Sequence, residues 1–419
     1  MKIIYIAFGC STLEGGEVKI GWSIPYEMSK YNEVIVITRT IYKDEHEKNK
    51  TLLEGHNLRF IYTDVNPIFS KYFKGQLLPI LLKGWNNSAL KIAKEICNTE
   101  EIDIIHQITP IEIRSIGHFE DIQGPKFVVG PLGGGEYMPK SLEEYIPSLK
   151  IRLFEIGRRL ANRLARMKLI RRGRKIDCAL FANKETFDYL EKVEFPYKRI
   201  MSDIGVDSPK LNTNKEKRVG SVLFLIAGRL AYRKGHLLLL DSISQIEDKS
   251  MIKFVIVGDG PMKDILVNKC NELGLDKLIS FEGNVKYTKM KDYYDKADVF
   301  IMPSLRETGG TVLLEALSNG IPVIAPNAFG GKYILDGHTG YLYNVKNESK
   351  QSIIDGLKNS IIQAKADVLS GKKMEDVCVK KVSNYTWEVK CKEYYSVYKT
   401  IVNTSKCCRR DYGGRKNDF

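Results

Sequence analysis

The segment from Val299 to Gly331 sets the kind of layer this chain can build. Val299 to Met302 is an apolar run that reads as a buried strand. Gly309 and Gly310 mark a tight turn. Thr311 to Ser318 reads as a short helix with Leu313, Leu314 and Leu317 on one side, and Asn319-Gly320 stops it. Ile321 to Ala325 is the next strand. Strand, turn, helix and strand in this order build a parallel sheet covered by helices.

The turn suits an anion. The first amides of a helix, here those of Gly310, Thr311 and Val312, lack partners within it and carry partial positive charge. Glycines such as Gly309 and Gly310 let an anion approach the backbone. Glu307 precedes the turn, and Glu315 follows eight residues later on the helix. A phosphate repels a carboxylate, so these two must bind something else, and sugar hydroxyls are the obvious donors. A capped core helix with two solvated glutamates fits the same residues, and both readings stand.

The chain opens with the same grammar. Lys2 to Phe8 reads as a buried strand, Ser11 to Gly16 as a loop, Glu17 to about Tyr31 as a helix and Glu33 to Thr38 as the second strand. Ligands in doubly wound sheets sit at the carboxyl ends of strands, so Gly15 and Gly16 are expected to face one. The pattern is not G-x-G-x-x-G, so no dinucleotide fingerprint is present. Leu58 to Tyr62 is a third strand. Phe69 to Leu82, rich in aromatics and leucines, is core or an acceptor groove. Ile102 to Ile105 is a strand expected to end at His106, where an imidazole either donates to a sugar hydroxyl or phosphate or is simply a satisfied structural histidine. Lys126 to Val129 leads into Gly130 to Glu136. Its three consecutive glycines, Gly134 in the middle, bring backbone close to a ligand or form a flexible loop.

A polar stretch, Ser208 to Arg218, reads as the linker to a second domain. Ser221 to Ala227 is that domain's first strand, followed by Gly228 to His236. Arg229 and Lys234 stand five apart in a loop between strand and helix, where two fixed cations can neutralise a diphosphate leaving group. Arg233 is expected in solvent. Lys253 to Val257 leads to a turn at Gly258, and Phe281 to Val285, with Asn284, follows. Tyr385 to Val402 is the last long helix, expected to cross back onto the first domain. Asn403 to Phe419 is a polar, basic tail.

Lys150 to Lys175 carries eleven basic residues against one acidic, Glu155. Leu153, Ile156, Leu160, Leu164 and Met167 recur at helical spacing, so the helix is amphipathic and basic. Such a helix lies on an anionic membrane surface or packs on the core with a solvated basic face. Nucleic acid is disfavoured, because no aromatics are interleaved and no binding motif occurs.

Several of these stretches together resemble the retaining glycosyltransferases of family 4. Glu307 and Glu315 match that family's E-x7-E motif, and E-A-L-S-N-G-I-P-V-I-A after it is similar. Gly228, Arg229, Lys234 and Gly235 match G-R-x4-K-G. D-I-I-H-Q-I-T-P and G-P-L-G-G-G-E resemble the bacterial surface-polysaccharide type. The resemblance implies a GT-B fold of two doubly wound Rossmann-like domains facing a cleft, with residues 1–207 on the acceptor side and 219–382 binding the nucleotide-sugar. It implies that Glu307 holds the transferred sugar, Glu315 the ribose, Arg229 and Lys234 the diphosphate, and that His106 reaches the donor sugar. It puts Gly15 and Gly16 against diphosphate and acceptor, Gly134 on the acceptor side, Gly258 near the nucleotide, and the backbone around Asn284 on the base. Two departures stand out. Gly309 replaces an aromatic residue, and Lys332 and Tyr333 occupy a shortened loop where the family has a glutamate.

The net charge, 65 − 51 = +14, calls for an anionic partner. Eight cysteines without C-x-x-C spacing suit reduced thiols rather than a disulfide framework or zinc site. Met1 to Cys10 faintly suggests a lipoprotein signal, but its apolar run is too short, and no run approaches the roughly 18 residues that span a bilayer. No Asp-x-Asp occurs, so no metal is expected. The expected protein is a cytoplasmic enzyme held peripherally at the inner membrane face, using a nucleotide diphosphate-sugar and a polyprenyl-diphosphate-linked saccharide acceptor, with no other cofactor. A GT-B nucleotide-sugar 2-epimerase and a basic membrane- or nucleic-acid-binding scaffold are the alternatives.

Overall fold

The computed structural model of the chain describes residues 1–65, 78–207 and 220–410, without side chains at 78–80 and 404–410. Most of the 69–82 run, the whole expected linker and residues 411–419 of the expected tail lie outside the described residues.

The chain divides into two units. The first comprises residues 1–135, 159–203 and 387–419; the second comprises 136–158 and 204–386. The first is built on a seven-stranded sheet: β1 (Lys2–Ala7), β2 (Glu33–Thr38), β3 (Leu58–Tyr62), β4 (Ile104–Thr109), β5 (Lys126–Leu132), β6 (Cys178–Phe181) and β7 (Tyr197–Ile200). The order is β3-β2-β1-β4-β5-β6-β7, with every pair parallel. Alternate side chains serve opposite faces, as the two-residue period of a strand requires. Ile3, Tyr5, Val34 and Val36 pack with Trp22, Met28 and, from the closing helix Trp387–Arg410, Tyr394 and Tyr398. Ile4, Ile6, Ile35 and Ile37 pack with Trp85, Ala89 and Ala93 on the other face. With both faces covered, the strands read as continuous apolar runs.

The second unit has six parallel strands: β8 (Val222–Ala227), β9 (Ile252–Val257), β10 (Ile279–Gly283), β11 (Val299–Ile301), β12 (Val323–Pro326) and β13 (Gly340–Tyr343). Their order is β10-β9-β8-β11-β12-β13. Phe224 sits in register with Phe254 and stacks on it at 5.0 Å. The helix Thr311–Ser318 buries Leu313, Leu314 and Leu317 against Phe300 and Val323.

Several boundaries differ from those read in the sequence. Residues 136–158 group with the second unit because Met138, Leu142, Tyr145 and Ile146 join its core. Ile204 and Val206 also belong there, packed with Leu313 and Leu317. The closing helix runs to Arg410, through residues assigned to the tail. Lys332 and Tyr333 lie in a helix, Phe329–Ile334, rather than a loop. The basic helix is Leu149–Arg172, and its apolar stripe is not in the core: Leu153, Phe154, Ile156, Leu160 and Leu164 are each 53–59% exposed. Glu155, Arg158, Asn162 and Leu169 are the buried ones. No helix of the described residues is long and apolar enough to cross a membrane.

Candidate functional site

In the second unit, β9, β8, β11 and β12 are consecutive neighbours, so their carboxyl-end loops lie side by side. Glycine lets those loops interlock. A Cβ on Gly235 would lie 1.9 Å from the Pro303 carbonyl oxygen, and Gly235 itself has φ 73°. A Cβ on Gly258 would meet the Gly228 carbonyl at the same distance. Backbone hydrogen bonds complete the seam: Leu305 N–H donates to Arg233 O at 2.8 Å, and Leu230 N–H donates to Asp259 O at 2.9 Å.

This seam brings Lys234 to Glu307. The ammonium donates directly to the carboxylate, Ser304 Oγ adds a 3.4 Å contact, and Arg233 Nη1 stands 3.9 Å away. Arg233 is therefore an outlying part of the same charge cluster, not a purely solvated cation. Burial pushes the Glu307 carboxyl up, but Lys234 and Arg233 outweigh it and hold its pKa below the usual range. Arg229 is exposed, and its guanidinium makes no hydrogen bond or ion pair among the described residues.

Glu315 is held differently. Tyr294 Oη donates to it at 2.9 Å and Tyr287 Oη at 3.4 Å. Burial raises its pKa, and the two phenols offset only part of that shift. No sequence pattern pointed to these tyrosines. They come from the Tyr287–Lys289 turn and the helix Met290–Lys296, ahead of β11. Gly310, at φ 84°, caps the helix that begins at Thr311 and Val312, and Gly309 is buried beside it. Asn284 is exposed, just past β10.

The first unit carries the remaining expected residues. Gly16 caps the helix Glu17–Met28 after the loop containing Gly15. Glu17 accepts from Ile111 N–H at 3.0 Å, and burial pushes its pKa to about 7. The Gly134 carbonyl accepts from Asn162 Nδ2 at 2.7 Å. His106 does not occupy a strand terminus. It is the third residue of β4 and 0% exposed. Its Nδ1 bonds Tyr398 Oη at 2.6 Å and its Nε2 bonds the Gly130 carbonyl at 2.7 Å. Both nitrogens are engaged inside the core, as those of a satisfied structural histidine are. Burial lowers its pKa to about 3.

Six described cysteines are free. Among the described residues, no group of three or more His, Cys, Asp or Glu could hold a metal ion.

Two parallel α/β units with glycine-rich loops at the strands' carboxyl ends define the GT-B class. Sucrose-phosphate synthase from Thermosynechococcus elongatus shares this fold, with a TM-score of 0.69 at 17% identity over 96% of this chain and 100% of that one. So does HepE of Anabaena, solved in complex with UDP-glucose, with a TM-score of 0.57 at 16% identity over 96% and 100%. Residues 207–368 match the family model described as Glycosyl transferases group 1.

An uncharacterized glycosyltransferase of Methanocaldococcus jannaschii is 31% identical over 43% of this chain and 45% of its own length. The alpha-monoglucosyldiacylglycerol synthase of Streptococcus pneumoniae is 24% identical over 74% and 73%. The chain thus spans less than half of the first of these relatives.

Proposed function

We propose that the chain is a metal-independent, retaining glycosyltransferase that moves a hexose-type sugar from a nucleotide diphosphate-sugar to a lipid-linked saccharide. The observation that carries this reading is the contact between Lys234 and Glu307. In a nucleotide-sugar a single oxygen joins the anomeric carbon to the β-phosphate. A cation for the phosphate and a carboxylate for a sugar hydroxyl must therefore be immediate neighbours. Glu307, kept ionised by Lys234 and Arg233, is an acceptor for that hydroxyl.

As the bond between the anomeric carbon and the phosphate oxygen breaks, negative charge grows on the β-phosphate. Lys234, the guanidinium of the exposed Arg229 and the amides of Gly310 to Val312 stabilise that charge. Glu315 accepts from the ribose hydroxyls. The acceptor hydroxyl attacks on the departing phosphate's own face and gives it the proton, so configuration is retained. UDP-glucose, which HepE binds, is the first donor to try.

The lipid-linked acceptor has its own support. The helix Leu149–Arg172 turns its leucines outward between arginines, an arrangement suited to an anionic membrane interface. The named product of the pneumococcal relative is likewise a glycolipid. The reading assigns the enzyme to the membrane's cytoplasmic face and to surface-polysaccharide assembly.

The test incubates purified protein with UDP-, GDP- and ADP-sugars, with and without a polyprenyl-diphosphate-saccharide in anionic vesicles. Acceptor-dependent nucleotide release and a glycosylated lipid are expected. Conversion of the donor without acceptor would instead identify the 2-epimerase, and release from no donor under any condition overturns the proposal.

A further inference from the structure

Glu155 is the sole carboxylate in the basic run, and the structure gives it an unusual environment. It is 5% exposed, on the inward side of the helix Leu149–Arg172, in the part of that helix that belongs to the second unit. Arg306 Nη1 donates to its Oε2 at 2.7 Å, and Arg158 Nε donates to the same oxygen at 3.0 Å. Tyr232 Oη donates to Oε1. Burial raises the Glu155 pKa, but Arg306, Tyr232 and Arg158 more than reverse this, and the carboxyl titrates below its usual range.

These partners come from the two loops that carry Lys234 and Glu307. Tyr232 begins the single turn that ends at Lys234, and Arg306 is the residue before Glu307. One carboxylate therefore grips both loops, 77 residues from Tyr232 and 151 from Arg306. The grip is strong in kind. Removing a buried carboxylate shared by two guanidinium groups and a phenol takes a hydrogen bond from each of them.

We infer that Glu155 is a positioning residue that sets the spacing of Lys234 and Glu307 by holding Tyr232 and Arg306. Its hydrogen bonds are to Arg158, Tyr232 and Arg306, not to Lys234 or Glu307. The inference rests on the transferase reading for its kinetic consequence only. The same turn of helix exposes Leu153, Phe154 and Ile156.

The test compares Glu155→Gln, Tyr232→Phe and Arg306→Met with the wild type, all assayed well below their melting temperatures. Glu155→Gln is expected to lower kcat for donor turnover by about 10- to 100-fold while changing the donor KM less than about threefold, the signature of displaced rather than missing binding groups. Tyr232→Phe is the gentler variant, and adding it to Glu155→Gln is expected to cost nothing more. Amide hydrogen exchange supplies a readout independent of activity: residues 228–236 and 304–310 exchange faster in Glu155→Gln, while the strands of both units do not. Wild-type kcat in Glu155→Gln, or unchanged exchange in either loop, overturns the inference. If the wild type turns over no nucleotide-sugar, the functional reading fails, and hydrogen exchange still decides the role of Glu155.

Discussion

Lys234 and Glu307 are 73 residues apart in the chain and in direct contact in the structure. The contact is possible because β8 and β11 are neighbours and their following loops are stitched by the Leu305-to-Arg233 hydrogen bond. Both side chains are largely enclosed, at 20% and 13% exposure. Their attraction is thus less screened than that of a surface pair.

Removing Glu307 leaves Lys234 enclosed without its counter-charge, and removing Lys234 leaves Glu307 with only Arg233, 3.9 Å away. Lys234→Ala and Glu307→Ala are each expected to reduce sugar transfer by at least about 100-fold, because each deletes a group that acts on one side of the scissile bond. Each is also expected to lose on the order of 1–3 kcal/mol of stability, with circular dichroism unchanged. The double variant recovers stability but not activity. Recovery of both in the double variant, measured by nucleotide release and denaturant titration, removes these residues from the reaction.

Much of this arrangement was legible in the sequence, for a physical reason. Strands of a parallel sheet buried on both faces are continuous apolar runs, and β2, β3 and the helix Thr311–Ser318 stand where their residues predicted. Loops that interlock need glycine at fixed points, which marks Gly235 and Gly258. Contacts made by side chains distant in sequence were not legible. Tyr294 and Tyr287 read as ordinary aromatics until the fold brought them to Glu315. The strand boundary at His106 was set too early, because β4 continues to Thr109 and carries the ring into the core. The periodicity of the basic helix gave its stripe correctly but not the direction the stripe faces, since arginine stems and buried carboxylates can supply an inward face as well as leucines do.

The exposed stripe makes a distinct prediction. Leu160→Ser with Leu164→Ser removes two side chains that touch little of the protein, so the melting temperature is expected to hold within about 2 °C. Burying a leucine is worth about 1.5–3 kcal/mol, so affinity for anionic vesicles in a sedimentation assay is expected to drop at least about tenfold. Raising the salt is expected to weaken wild-type binding as the flanking arginines are screened. Equal sedimentation of wild type and double variant places the membrane contact elsewhere.

His106 makes stability depend on pH in a definite direction. Its folded pKa of about 3 lies below the value near 6.5 of an exposed imidazole. Between these values the unfolded chain binds the extra proton, so stability is full above about pH 6.5 and falls as pH falls toward 3. The slope from this one group approaches 1.4 kcal/mol per pH unit, taken at about 25 °C. His236, lowered to about 4 by burial and by Lys234, adds a second slope of the same sign. His106→Asn is expected to be less stable at pH 7, having lost the Tyr398 and Gly130 contacts, and to lose less on going to pH 5. Parallel urea-titration curves for the two proteins across that range would show that His106 is not buried neutral.

Gly235 tests the seam itself, separately from the charges it serves. Alanine there must adopt a left-handed conformation, a cost of about 1–2 kcal/mol, and its Cβ meets the Pro303 carbonyl at 1.9 Å, so one of the two loops must shift. Gly228 is the control: its φ of 142° also disfavours alanine, but nothing lies within 4 Å of the added carbon. Gly235→Ala is therefore expected to lose more stability than Gly228→Ala and to pull Lys234 away from Glu307. A kcat reduced at least about tenfold in Gly235→Ala, below that of Gly228→Ala at equal fractions folded, is the expected outcome. Equal kcat in the two variants would show that the spacing of the loops does not govern turnover.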